Sequence, residues 1–264
     1  MTQLTDPSYL RRQYGNSSNL DARVNLHQRF SVNQYGFHHW AFDQLHLSSD
    51  EHVLELGCGP GHLWAENRER LPAHFNLALS DFSSGMLSAA RNRLSGIPAA
   101  YHVADAQHIP SPNQAFDLLI ANHMLYHVPD LTQALAEIRR VLRSQGRLIA
   151  ATNGQSHMQE LTELLHEFDP TVHTMSNAVV ERFSLENGGE ILGRFFKDVH
   201  VLRYNDALQV SDAQPLVDYV LSNARWQGIG ADWETRFSIF VQQRLAQYGA
   251  IHITKSSGIF ICYP

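Results

Sequence analysis

The stretch Val53-Leu54-Glu55-Leu56-Gly57-Cys58-Gly59-Pro60-Gly61 sets three glycines at alternate positions directly behind a short apolar run. Val53, Leu54 and Leu56 suit a strand covered on both faces, as strands of parallel sheets are. The glycines remove every Cβ where the chain must turn sharply, and they let a ligand approach the backbone. A helix is expected from His62 to about Leu71, with unpaired N–H groups and a positive dipole end facing that turn. A buried strand, a glycine turn and a helix in that order commit the chain to an α/β unit with a parallel sheet.

The following sequence extends the alternation. Phe75 to Ser80 reads as a second strand closed by Asp81, and Ser83 is a plausible N-cap for a helix carrying Met86, Leu87, Ala90 and Leu94 on one face. Ala99 to Val103 is a third strand, leading to Asp105-Ala106, and Phe116 to Asn122 is a fourth. Asp130 with Gln133 forms a capping-box pattern ahead of Leu131, Leu135, Ile138 and Leu142, and Gln145-Gly146 turns into a fifth strand, Arg147 to Ala151. The second half is less regular: helices are expected over 157–168, 184–196, 215–223 and 232–248, with a strand from Val199 to Tyr204. Ile251-Thr254 and Ile259-Cys262 flank Lys255-Ser256-Ser257-Gly258 and close the chain as a strand or a hairpin.

Ligands of a doubly wound sheet sit beyond the C-terminal ends of its strands, near the switch in strand order. Here those ends carry the glycine turn, Asp81, Asp105-Ala106 and Asn122-His123 in succession. An acid after the strand that follows a glycine turn can accept hydrogen bonds from both ribose hydroxyls. Asp105 can accept from an adenine amino group while the Ala106 N–H serves a ring nitrogen, and Glu55 can hold an ammonium group. A nicotinamide dinucleotide turn requires G-x-G-x-x-G, and His62 stands where its third glycine belongs, which disfavours a dinucleotide oxidoreductase.

Glu55 to Gly61, Leu79 to Leu87, Val103 to Ala106, Phe116 to Asn122 and Ala134 to Gly146 together resemble the motifs of the UbiE-like class I S-adenosylmethionine-dependent methyltransferases, over about residues 50 to 153. The resemblance implies a Rossmann-like seven-stranded sheet with its last strand antiparallel. It implies S-adenosylmethionine as cofactor, held by Glu55, Gly57, Gly59, Gly61, Asp81, Phe82, Met86, Asp105, Ala106 and Asn122. Residues 1–46 would form a helical cap segment, and 47–264 the methyltransferase core with helical insertions around 155–196 and 211–249. The cap region matches no acceptor-specific motif.

Methyl transfer from a sulfonium needs alignment and exclusion of water, with a general base added for an acidic acceptor. His123, Tyr126 and His127 follow the fourth strand; His127 and His123 are the best-placed bases, Tyr14, His27 and His157 can reach the site from above, and Arg29 can pair with a carboxylate of cofactor or acceptor. His123 and His127 lie four residues apart, but no glutamate or further ligand supports a metal pair. The expected reaction is methylation of a small molecule on O, N or C. The alternatives are methylation of a protein or peptide side chain, and a module that binds the cofactor without transferring a methyl group.

With 44% hydrophobic and 17% charged residues the 264-residue chain is an ordinary globular one, and its net charge of −6 argues against a nucleic-acid partner. Neither a membrane span nor a secretory leader is expected, and two cysteines, Cys58 and Cys262, make no disulfide scaffold. A cytoplasmic protein is expected.

Overall fold

The apolar run around Glu55 lies inside a seven-stranded sheet of order β3-β2-β1-β4-β5-β7-β6 in a computed structural model that describes residues 5–6, 18–172, 180–224 and 229–264. Two helices, α1 (Ser18–Phe30) and α2 (Phe37–Asp43), precede β1 (His52–Leu56). Then come α3 (His62–Glu66), β2 (Asn76–Asp81), α4 (Ser84–Arg93), β3 (Ala100–Val103) and β4 (Phe116–Asn122). The chain continues through α5 (Leu131–Val141), β5 (Leu142–Asn153), α6 (Gln159–Phe168), α7 (Gly188–Leu192) and β6 (Asp198–Val210). It ends with α8 (Ala213–Ala224), α9 (Ala231–Tyr248) and β7 (Ile251–Tyr263). β1 to β5 pair in parallel, and β7 runs antiparallel to both of its neighbours, β5 and β6.

Burial on both faces follows from the strand period of two. Leu54, Leu56, Leu119, Leu148 and Ala150 join α5 and Phe260 on one side, while Val53, Leu77, Leu79, Ile120 and Ile149 meet α2, α3 and α4 on the other. Each fully buried Leu or Phe stabilises the fold by about 1.5–3 kcal/mol. A third cluster joins Leu26 and Phe30 of α1 to Leu161 of α6, Leu216 of α8, Phe237 of α9 and Leu208 of β6. Thus α1 is packed into an apolar core alongside the late helices.

Several elements depart from the sequence expectation. The helix expected over 184–196 is only the five-residue α7, and β5 begins at Leu142, not at Arg147. The helix after the glycine turn is only five residues long and gives way to a 3-10 turn at Arg68–Arg70. Asn67 ends it: fully buried, its amide donates to the Leu63 and His38 carbonyls and competes with helical bonding. Strand β6 runs to Val210, well beyond Tyr204, because it pairs with β7 along its whole length. Lys255 to Gly258 form no hairpin turn; they are paired residues inside β7, opposite Asp206 to Arg203. Gly258 allows this, since a Cβ there would stand 2.4 Å from the Leu202 carbonyl oxygen.

Candidate active site

Above the C-terminal ends of β1, β2 and β4 lies a cavity of about 690 Å³, within the range of small-ligand sites. Its floor is the glycine turn. Gly57, Gly59 and Gly61 all have positive φ, at 63°, 54° and 78°. Space is as restrictive as conformation: a Cβ on Gly57 would meet Met124 Cβ at 2.8 Å, and one on Gly61 would meet Leu94 Cδ1 at 2.8 Å. Gly61 also precedes α3, whose short length removes the extended helix end expected there.

Two carboxyl groups converge on this floor from neighbouring strands. Glu55, 3% exposed, accepts the Trp64 Nε1–H at 2.6 Å. Burial pushes its carboxyl up to about 8, against hydrogen bonds from Trp64 and Asn122 that favour the ionised form, while the nearby Asp81 charge adds to the rise. Asp81, at the end of β2, accepts the Gly59 N–H at 2.9 Å through one oxygen and the Ser83 N–H at 2.8 Å through the other. Burial raises its carboxyl too, opposed by those two backbone donors. The Asp81 carboxylate therefore ties the glycine turn to the entry of α4, which Ser83 caps by accepting the Met86 N–H.

The remaining sequence candidates distribute as follows. Phe82 is 39% exposed on the cavity wall, whereas Met86 is buried at its edge. Ala106 lines the same wall, but Asp105 is already engaged: its carboxylate accepts the Gln107 backbone N–H at 2.9 Å and the Gln107 amide at 2.9 and 3.0 Å. Gln107 in turn accepts the Asp130 N–H, so the expected capping box is only half formed. Asp130 caps Gln133, while the Gln133 amide donates to the Gln107 carbonyl. Asn122 lines the cavity with a buried Oδ1 that has no protein hydrogen-bond partner.

His123 and His127 both face the cavity. His123 has φ of 51° and lies 5.2 Å, centroid to centroid, from the Phe37 ring. Burial, aided by the charges of His38 and Lys255, drives its imidazole down to about 4, so it is neutral at ordinary pH. His127 ends the 3-10 turn Leu125–His127, in a loop that Arg182 fixes through the Tyr126 and Val128 carbonyls. Tyr14 lies outside the described residues. Arg29 is a correction: it makes an exposed ion pair with Asp212 at 3.0 Å and does not line the cavity.

The structure adds cavity residues that sequence reading passed over: Lys255, Ser257 and Asn153 from β7 and β5, Tyr219 from α8, and Tyr35. Lys255 and Ser257 looked like turn residues. Their signal was the alternation Ile251-His252-Ile253-Thr254 before them and the apolar run Ile259-Phe260-Ile261-Cys262 after them, which a continuous strand joins without a turn. Among the described residues no group of three His, Cys, Asp or Glu is arranged to hold a metal ion, and no helix is long and apolar enough to cross a membrane.

Comparison with known proteins agrees with this geometry. Residues 54–150 match the family described as Methyltransferase domain. Over 124 residues the chain is 35% identical to the demethylmenaquinone methyltransferase of Lactiplantibacillus plantarum, covering 44% of this chain and 52% of that protein. It is 32% identical over 128 residues to the malonyl-[acyl-carrier protein] O-methyltransferase of Serratia marcescens, covering 47% and 46%. The chain thus spans about half the length of the curated relatives it matches. Among solved structures it is similar in fold to the phosphoethanolamine N-methyltransferase 2 of Haemonchus contortus, with a TM-score of 0.61 at 16% identity, covering 97% of this chain and 59% of that one. It is also similar to the YcgJ protein of a Bacillus, at a TM-score of 0.57 and 15% identity, covering 85% and 96%. Over residues 54–150, therefore, the chain is similar to methyltransferases and matches the family described as Methyltransferase domain.

Proposed function

We propose that the protein transfers a methyl group from S-adenosylmethionine to a small-molecule acceptor held under α1 and α2. The observation that carries this reading is the pair of carboxyls, Glu55 and Asp81, converging above three left-handed glycines at the ends of adjacent strands. The donor set fits the cofactor. Asp81 keeps free lone pairs for the ribose hydroxyls after its two backbone bonds, and Glu55 offers a buried carboxyl to the ammonium group. Asn122 supplies a buried oxygen without a protein partner beside them. Phe82, Met86 and Ala106 would bound the adenine, with Asp105 reaching it only through lone pairs that Gln107 leaves free.

The cofactor brings a methyl group already activated on a sulfonium. The protein's part is to align the acceptor and exclude water. Leu20, Val24 and Phe37 line the cavity from the N-terminal helices, and its volume suits a small acceptor. Where the acceptor carries an acidic proton, His123 or His127 receives it; burial makes His123 a weak base until an anion stands next to it.

Calorimetry on the full chain tests the cofactor assignment. S-adenosylhomocysteine should bind and NAD should not; binding of NAD with no response to S-adenosylhomocysteine overturns the reading.

A further inference from the structure

On the wall of the same cavity, three histidines and a lysine come together from four separate segments. His27 belongs to α1, His123 follows β4, His157 precedes α6 and Lys255 lies within β7. The His27 and His157 rings are 6.4 Å apart, and the Tyr219 ring stands edge-on to His27 at 5.8 Å. The Nδ1 atom of His27 is buried and has no protein hydrogen-bond partner. Ser257, also on the cavity, donates to Asn153 Oδ1 at 2.8 Å with His157 Nδ1 at 3.5 Å.

Asp206, the acid paired with Lys255, has a fully buried carboxylate that also accepts the Ser31 hydroxyl and takes the Asn33 and Ala207 N–H groups at 3.0 and 2.8 Å. It does not line the cavity. The positive and titratable groups facing the cluster are Arg23 of α1, His38 of α2 and Lys255, besides the histidines themselves. Burial first, and then these neighbours, hold His27 well below its ordinary value and His157 down to about 3. A histidine that only filled space would not require two others and a lysine beside it. A corner of neutral imidazoles around an ammonium becomes favourable when something negative enters, because the entering charge removes the reason each ring stays unprotonated.

We propose that the His27–His123–His157–Lys255 corner is an oxyanion subsite, and that the acceptor is a small organic acid whose ionised carboxylate is taken there with uptake of a proton by the histidines. The inference rests on the methyltransferase reading and narrows its acceptor class. The proton comes from solvent and no covalent bond changes: an anion and a neutral imidazole become an anion paired with an imidazolium. Lys255 fixes the place of the anion, and its bond to Asp206 keeps the ammonium oriented while the corner is empty.

The test is calorimetry of the full chain with S-adenosylhomocysteine present, using 4-hydroxybenzoate and its uncharged analogue 4-hydroxybenzamide as probes. The acid should bind at least about tenfold more tightly than the amide, the scale of one charge-assisted contact. Its enthalpy should differ between Tris and phosphate buffers in the sense of proton uptake. The double variant His27→Gln, His157→Gln should lose the buffer dependence and keep its affinity for S-adenosylhomocysteine. Lys255→Met should lose the preference for the acid, but it leaves Asp206 buried without its cation, so the histidine variant decides if the lysine variant does not fold. Equal or absent binding of the two probes, or acid binding without proton uptake, overturns the inference while leaving the cofactor reading intact. Failure of S-adenosylhomocysteine to bind at all overturns both.

Discussion

Asp81 serves two structural bonds with one carboxylate, and any cofactor must share it. Its oxygens hold the Gly59 and Ser83 N–H groups, so Asp81→Ala both deletes an acceptor facing the cavity and loosens the turn. The expected loss of S-adenosylhomocysteine affinity is about 1.5–3 kcal/mol, with the circular dichroism spectrum retained. Undiminished affinity by calorimetry would remove Asp81 from the binding set. Glu55 behaves differently because burial raises its carboxyl to about 8 from the ordinary 4.5. A group that binds its proton more tightly when folded contributes stability in full below its unfolded value, and loses it as pH rises through the folded value. Glu55→Gln keeps an oxygen for the Trp64 N–H but cannot ionise. The difference in melting temperature between the native chain and this variant should therefore move against the native chain as pH climbs from about 4.5 toward and past 8. A difference that is flat with pH would show that Glu55 ionises freely. That Glu55 and Asp81 meet at the glycine turn was legible in sequence because each stands at or next to the end of a strand beside it. The rise of the Glu55 carboxyl was not legible, since it depends on burial at the depth of the sheet.

At the scale of elements, α2 is fastened to α3 by a carboxylate between two histidines. Glu66 Oε2 meets His38 Nδ1 at 3.0 Å, its Oε1 lies 3.7 Å from His62 Nδ1, and the two rings stack at 5.7 Å with an angle of 3°. Burial works against ionisation of Glu66, but the His38 hydrogen bond and the nearby His62 ring outweigh it and hold the carboxyl far below its usual range. The sign is opposite to that of Glu55. The contribution is complete above the ordinary carboxylate value and is lost as pH falls through and below it. Glu66→Gln should lower the melting temperature at neutral pH and reduce the further loss on acidification; identical pH profiles would mean that this contact does not fasten α2. Sequence periodicity located α2 and the strands, whose patterns are local. It missed the early end of α3, because Asn67 breaks that helix with a bond to His38 that no local pattern encodes. It missed the length of β6 for a related reason: Asn205 and Asp206 interrupt the apolar pattern, and they continue the strand by pairing with Ser256 and Lys255 of β7.

For the molecule as a whole, the cavity joins two halves that the sequence keeps apart. The glycine-turn end draws on motifs within about a hundred residues of one another, which is why its residues could be read in order. The histidine end draws on α1 and on β7, at opposite ends of the chain, brought together only by the register that sets Ser257 beside Asn153 and by the core that α1 shares with α6, α8 and α9. A ligand spanning both ends touches α1 and α2 as well as the sheet, since Leu20, Arg23, His27 and Phe37 line the same space as Gly57 and Asp81. Besides the apolar core it shares with α6, α8 and α9, α1 is held by Arg23 to Ser222, and the segment after it by the Ser31 and Asn33 bonds to Asp206. Hydrogen exchange should therefore respond unevenly to S-adenosylhomocysteine. Amides of α1 and α2 should gain protection together with the glycine turn, and those of α9, which contributes nothing to the cavity lining, should change little. Protection confined to the glycine turn and the ends of β1 and β2 would mean that cofactor binding leaves the N-terminal helices free. The cavity would then be two sites sharing a wall.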